Sequence, residues 1–196
     1  LADDGIYVKG GIGAAWTSDI EGDFTLSGTK YDSELGTDNS QSNFQVGIGK
    51  EFGDWRLEGT YAQTTVETNS ISTTSSGSSV SSSFTPNAEF DANVYQLSLL
   101  KDFNKGEKLT PYIGVGAGFT DIEVKATTIT ASGTDLDVLK ANETVFHYAL
   151  IGGVSYNVNE STALFTEATL VKTSGFEIDD IDYESVSQTS ALGGVR

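Results

Sequence analysis

Residues 109–120 read Leu109-Thr110-Pro111-Tyr112-Ile113-Gly114-Val115-Gly116-Ala117-Gly118-Phe119-Thr120. Taken alternately, Leu109, Pro111, Ile113, Val115, Ala117 and Phe119 form one set, opposed by Thr110, Tyr112, Gly114, Gly116, Gly118 and Thr120. A period of two is the signature of a strand with two unlike faces. The apolar set runs over enough residues for a tilted strand to cross a bilayer, which takes about 9–11. The glycine run does not read as a phosphate cradle, because no amphipathic helix follows it and no Walker lysine is present.

Outward from this stretch the same pattern recurs. Upstream, the turn 104–108 (Asn-Lys-Gly-Glu-Lys) is preceded by 91–103, where Tyr95, Leu97, Leu99 and Phe103 alternate with Val94, Gln96, Ser98, Leu100 and Asp102. Farther back, Trp55, Leu57, Gly59 and Tyr61 oppose Arg56, Glu58, Thr60 and Ala62, and the short link Gly53-Asp54 joins them to 43–52 as a hairpin. There Phe44, Val46, Ile48 and Phe52 share a face, interrupted by Lys50, whose stem suits snorkelling to an interface. The chain opens with Ile6, Val8, Ile12, Ala14 and Trp16 against Tyr7, Lys9, Gly11, Gly13 and Ala15. Downstream, Phe146, Tyr148, Leu150, Val154 and Tyr156 oppose His147, Ala149, Gly153, Ser155 and Asn157. Leu164, Ala168 and Leu170 then oppose Phe165, Glu167 and Thr169, and 187–196 supplies a short last strand. About eight strands result. Tight links near Gly53, Gly106 and Asn159 alternate with long polar stretches near 18–42, 67–89, 124–142 and 174–186. An up-and-down barrel sorts its connections this way, short turns at one end and long loops at the other.

Composition agrees. The chain has 196 residues, read as one domain over 1–196, with no cysteine or methionine, which excludes disulfides, thiol chemistry and Cys-ligated metal. A formal net charge of −17 with 11 Lys and Arg leaves too little cation for nucleic acid. No apolar run is long enough for a spanning helix, and the mean hydropathy of −0.19 does not argue against a barrel, because only alternate residues face lipid. The opening 1–5 (Leu-Ala-Asp-Asp-Gly) reads as a processed terminus.

A soluble lipocalin-like barrel also alternates, with its apolar face inward. Here the opposite face is rich in glycine and small residues and carries Lys9, Arg56, Glu58 and Glu167, which suits a narrow polar lumen better than an apolar core. These four are expected to form one interior network in which Arg56 and Lys9 neutralise Glu58 and Glu167, with Arg56 meeting Glu167 across the lumen, since unpaired interior charge is costly. Glu51 and Arg196 lie nearer the ends. Trp16, Phe52, Trp55, Phe103 and Tyr156, near strand ends, are expected as interfacial aromatics.

Catalytic patterns are absent. His147 is the sole histidine and falls on the interior face, where a hydrogen-bonded lumen residue is the simpler reading. Asp179, Asp180, Asp182 and Glu184 lack the ligand order of an EF-hand and read as a solvated acidic loop with, at most, nonspecific divalent binding. The Asn142 and Asn159 glycosylation-type triplets carry little meaning. In 135–142, Leu136, Leu139 and Lys140 have helical spacing and suggest a helical turn.

The stretch 110–118 resembles the "TPYxGxGxG" strand of the outer-membrane β-barrel superfamily, which includes opacity-type surface proteins and OmpA/OmpX-like small barrels. Residues 5–13 and 192–196 are similar to its first and last strands. The resemblance implies a closed eight-stranded antiparallel barrel with a filled interior, set in the outer membrane of a Gram-negative cell envelope; from the residue patterns, no cofactor is expected. Such barrels commonly end in an aromatic residue, whereas this chain stops at Arg196. The expected function is that of a noncatalytic surface antigen-type protein that stabilises the envelope or presents its loops to host, phage or other cell-surface ligands, in contact with outer-membrane lipid. The rival readings are a narrow porin-like channel and an outer-membrane enzyme drawing acids such as Asp179 and Asp182 from its loops.

Overall fold

A computed structural model describes the backbone of residues 5–18, 20–26, 29–37, 40–75, 87–129, 135–178, 181–183 and 185–196, and the side chains of 5–18, 40–65, 91–123, 143–175 and 185–196. Within these lie twelve strands: β1 (Ile6–Thr17), β2 (Ile20–Leu26), β3 (Thr29–Thr37), β4 (Gln41–Phe52), β5 (Trp55–Ser75), β6 (Asn87–Asp102), β7 (Leu109–Ile129), β8 (Asp135–Asn159), β9 (Thr162–Thr173), β10 (Phe176–Ile178), β11 (Ile181–Tyr183) and β12 (Ser187–Val195).

Eight of them close a wall in the order β1-β4-β5-β6-β7-β8-β9-β12, every neighbour antiparallel and β12 pairing back to β1. Following register partners once round, from Tyr7 through Gly49, Glu58, Ser98, Gly116, Ala149, Val171 and Gln188, returns to β1 at Thr17, ten residues farther along. That stagger tilts the strands by about 40° and leaves an interior only wide enough for side chains. Along β7 the outward apolar set from Leu109 to Phe119 then spans about 25 Å of wall, the thickness of a bilayer's hydrocarbon band.

The alternating faces lie as the periodicity requires. Ile12, Ile48, Leu97, Ile113, Val115 and Leu150 point outward, each more than half exposed, while Lys9, Arg56, Glu58, Thr110, Tyr112, Ser155 and Glu167 are buried inside. Lipid accounts for so much exposed apolar surface on a folded wall. The three short connections, at 53–54, 103–108 and 160–161, share one end with both ends of the described chain: Gly5 accepts from the Glu51 amide, and Arg196 exchanges hydrogen bonds with Ala163. Gly53, at φ 60°, takes the first central position of its two-residue turn, as a II′ hairpin demands.

The other end differs from expectation. Residues 18–42, 67–89, 124–142 and 174–186, read from composition as long polar loops, are in their described parts largely paired strand. β2 and β3 form a hairpin inside the first; β5 continues to Ser75 against β3; β10, β11 and β2 add to the same sheet; and β7 and β8 run on as a long hairpin. The helical turn expected over 135–142 is part of β8, with Leu136 opposite Thr128, Leu139 opposite Ala126 and Lys140 opposite Lys125. A hydrogen-bonded ladder already anchored in the wall outweighs a weak local helical spacing. Asp179, Asp180 and Glu184 lie outside the described residues, and Asp182 is described in backbone alone, within β11.

Candidate functional site

Parity along the strands turns Tyr7 and Lys9 of β1, Arg56 and Glu58 of β5, Asp102 of β6, Tyr112 of β7 and Glu167 of β9 into the lumen, and the stagger brings them to one level. Lys9 reaches over both of its neighbouring strands. Its Nζ lies 2.6 Å from Glu58 Oε1 and 3.1–3.2 Å from the two carboxylate oxygens of Glu167, and the three side chains are almost wholly buried. Arg56 donates from Nε to Asp102 Oδ1 at 3.0 Å, and its Nη1 lies 3.4 Å from Glu58 Oε2. Its Nη2 is also 3.0 Å from Asp102 Oδ1, an ion contact rather than a well-directed hydrogen bond.

Two tyrosines tie the charges together. Tyr7 donates its hydroxyl to Glu58 Oε2 at 2.6 Å and accepts from Arg56 Nη1 at 3.2 Å, while Tyr112 donates to Glu167 Oε2 at 2.9 Å. The Arg56 guanidinium lies 4.5 Å from the Tyr112 ring centre, and Lys9 Nζ lies 5.0 Å from that of Phe165. Each tyrosine faces a glycine across the ladder, Tyr7 opposite Gly49 and Tyr112 opposite Gly153, and its ring lies where a side chain at the glycine would go. A Cβ on Gly153 would collide with the Tyr112 ring and stand 2.6 Å from the Thr166 carbonyl oxygen. Gly153→Ala is therefore expected to lower stability by about 1–3 kcal/mol in detergent-refolded protein, measured by urea unfolding. No loss would mean that Tyr112 has room to leave the network.

At the short-turn end a second group adjoins the first. Lys105 Nζ is 2.8 Å from Glu51 Oε2 and donates to the Gly53 carbonyl at 2.6 Å, and Arg196 lies 3.9 Å from Glu51 Oε1. Together the two groups hold four cations, Lys9, Arg56, Lys105 and Arg196, against four carboxylates, Glu51, Glu58, Asp102 and Glu167. Toward the long-strand end the interior turns to uncharged polar groups. His147, fully buried, has Nδ1 3.0 Å from Thr120 Oγ1, and Asn43, Gln45, Thr64 and Thr169 share this region. Among the described residues no group of three or more His, Asp or Glu is arranged to hold a metal.

The four charges singled out by sequence thus come together, with one change of partner. Arg56 does not touch Glu167; its carboxylates are Glu58 and Asp102, and Glu167 belongs to Lys9 and Tyr112. Asp102, Tyr7 and Tyr112 complete the site and were not singled out, although parity already placed them on the inward face. Trp16, Phe52, Trp55, Phe103 and Tyr156 all face outward and are 42–47% exposed. The last four stand along the short-turn rim from β4 to β8. Trp16 stands at the opposite rim, beside a belt that the sequence reading did not name: Phe44, Tyr61, Tyr95, Phe119, Phe146 and Tyr148, with Tyr61 packed on Tyr95 and Phe119 on Phe146.

A closed eight-stranded wall, apolar outside between two aromatic belts and ionic within, is a transmembrane β-barrel. No helix of the described chain is long and apolar enough to cross a membrane, and crossing falls to the strands. The chain belongs to the outer membrane protein β-barrel domain family, whose model matches residues 2–195, and it is an outer-membrane barrel of the Gram-negative surface. Among solved structures it is similar to OprG of Pseudomonas aeruginosa (TM-score 0.60, 15% identity, covering 97% of this chain and 93% of that one). It is also similar to Neisserial surface protein A (TM-score 0.55, 15% identity, 97% of each chain). The outer membrane protease OmpT of Escherichia coli matches as well (TM-score 0.57, 8% identity, 100% and 97%). At these identities the likeness is one of fold. Comparison with curated proteins finds no match.

Proposed function

We propose that this barrel is a noncatalytic surface protein whose lumen is closed by its own side chains and whose work is done by its outer wall and by the sheet extensions at its long-strand end. The observation that carries this reading is the Lys9–Glu58–Arg56–Asp102 and Lys9–Glu167 network, which crosses a lumen too narrow to bypass it. With short turns on the periplasmic side, the stretches 18–42, 67–89, 124–142 and 174–186 of this one domain stand outside the cell, free to meet host, phage or cell-surface ligands or, at acidic positions, divalent cations. Noncatalytic action fits the single histidine, which is buried and tied to Thr120 rather than paired with a carboxylate.

A narrow porin-like channel is the competing reading, and planar-bilayer recording separates the two. Purified barrel inserted into a bilayer in about molar salt is expected to give no steady unit openings. Reproducible openings of fixed size in the unmodified protein would replace the closed-lumen reading with the channel.

A further inference from the structure

We propose that the outer wall at the short-turn rim holds a binding site for an anionic glycerophospholipid, its phosphodiester lying between Lys50 and Lys101. This goes beyond the surface role above and does not depend on it. In the short-turn half of the wall, the outward face of the described strands carries two charges, and both are these lysines. They stand one strand apart, on β4 and β6, with β5 between them. Lys50 Nζ lies 5.1 Å from the ring centre of Phe52, and Lys101 Nζ lies 5.2 Å from that of Trp55. Phe52 and Trp55 are direct cross-strand partners, and Trp55 is in turn opposite Lys101. Two ammonium groups are thereby held over adjacent rings at the level where lipid headgroups meet the wall.

The surroundings select the ligand. Beyond the lysines the same wall offers Ile48, Leu57 and Leu99, all exposed, leading to a shallow groove lined by Val46, Gly59, Tyr61, Tyr95, Leu97 and Ala117. A molecule lying here needs an anionic head and a hydrocarbon tail. One carboxylate opposes the anion: Asp54 Oδ2 is 3.0 Å from Lys101 Nζ. Lys101 is thus partly neutralised, and Lys50 supplies most of the attraction.

The chain has two tryptophans, so Trp16→Phe leaves Trp55 as a reporter inside the site. Reconstituted in mixed bilayers, this protein should be quenched by brominated phosphatidylglycerol in preference to brominated phosphatidylcholine. The expected relative binding constant is about five, the attraction of one interfacial lysine. Lys50→Gln should bring it near unity, and Lys50→Arg should retain it. Asp54→Asn, by freeing Lys101, should raise it about fivefold again. The reporter at the opposite rim, Trp16 in Trp55→Phe, should show no preference. Equal quenching by the two lipids at Trp55 would overturn the site. So would a preference that outlasts Lys50→Gln, that fails to rise in Asp54→Asn, or that Trp16 shares.

Discussion

Arg56→Met is expected to destabilise the barrel by about 3–5 kcal/mol, the cost of removing one partner from a buried ion pair. The size follows from what is left behind. Asp102, 2% exposed, has Arg56 as its ion-pair partner among the contacts described, and Glu58 keeps Lys9 and Tyr7 but loses its second cation. The guanidinium also packs on Tyr112, so the substitution removes a stacking surface together with the charge. Adding Asp102→Leu should recover part of the loss, because the orphaned carboxylate goes with it. Urea unfolding of detergent-refolded protein measures both. A cost below about 1 kcal/mol for Arg56→Met, the range of an exposed pair, would mean that water reaches these charges.

Val115→Arg tests the opposite face. Val115 is 56% exposed near the middle of the apolar band on β7, flanked by Ile113 and Ala117 on the same face. An arginine there is expected to cost about 2–4 kcal/mol, whereas Leu109→Arg, at the short-turn rim where the side chain reaches the interface, should cost about 0–1 kcal/mol. Both positions face outward on one strand, so depth in the bilayer is the main difference between them. Equal costs at the two positions would contradict a bilayer-spanning band on this face.

The faces of the wall were legible because each wall strand repeats a period of two, and parity alone then decides which residues meet lipid. Lys9, Arg56, Glu58 and Glu167 could be assigned to the interior on that basis. Their partners could not, because partner choice depends on the stagger between strands, which no single strand encodes. The stagger lets Lys9 reach Glu167 over β12 and Glu58 over β4. Asp102 meets Arg56 diagonally on the adjacent strand, where Arg56 stands opposite Leu100. The expectation of an Arg56–Glu167 contact failed for this reason.

Long polar connections were legible as a feature of one end, but their strand character was not. Beyond the bilayer neither face of a strand must be apolar, so a Ser- and Thr-rich ladder such as 68–75 of β5 against β3 shows no clean alternation. The tyrosine–glycine pairs were hidden similarly. Each half is ordinary in its own strand, and the fit exists only once Tyr112 is set opposite Gly153.

The ion contact across the lumen is tested most directly by a double-mutant cycle on Lys9→Met and Glu167→Gln, residues on β1 and β9 whose side chains meet over the intervening β12. The closed-lumen account predicts a coupling energy of about 1–3 kcal/mol between them in urea unfolding, with the double variant more stable than the sum of the single losses implies. Additivity within about 0.5 kcal/mol would contradict it, leaving two charges that share a lumen without closing it.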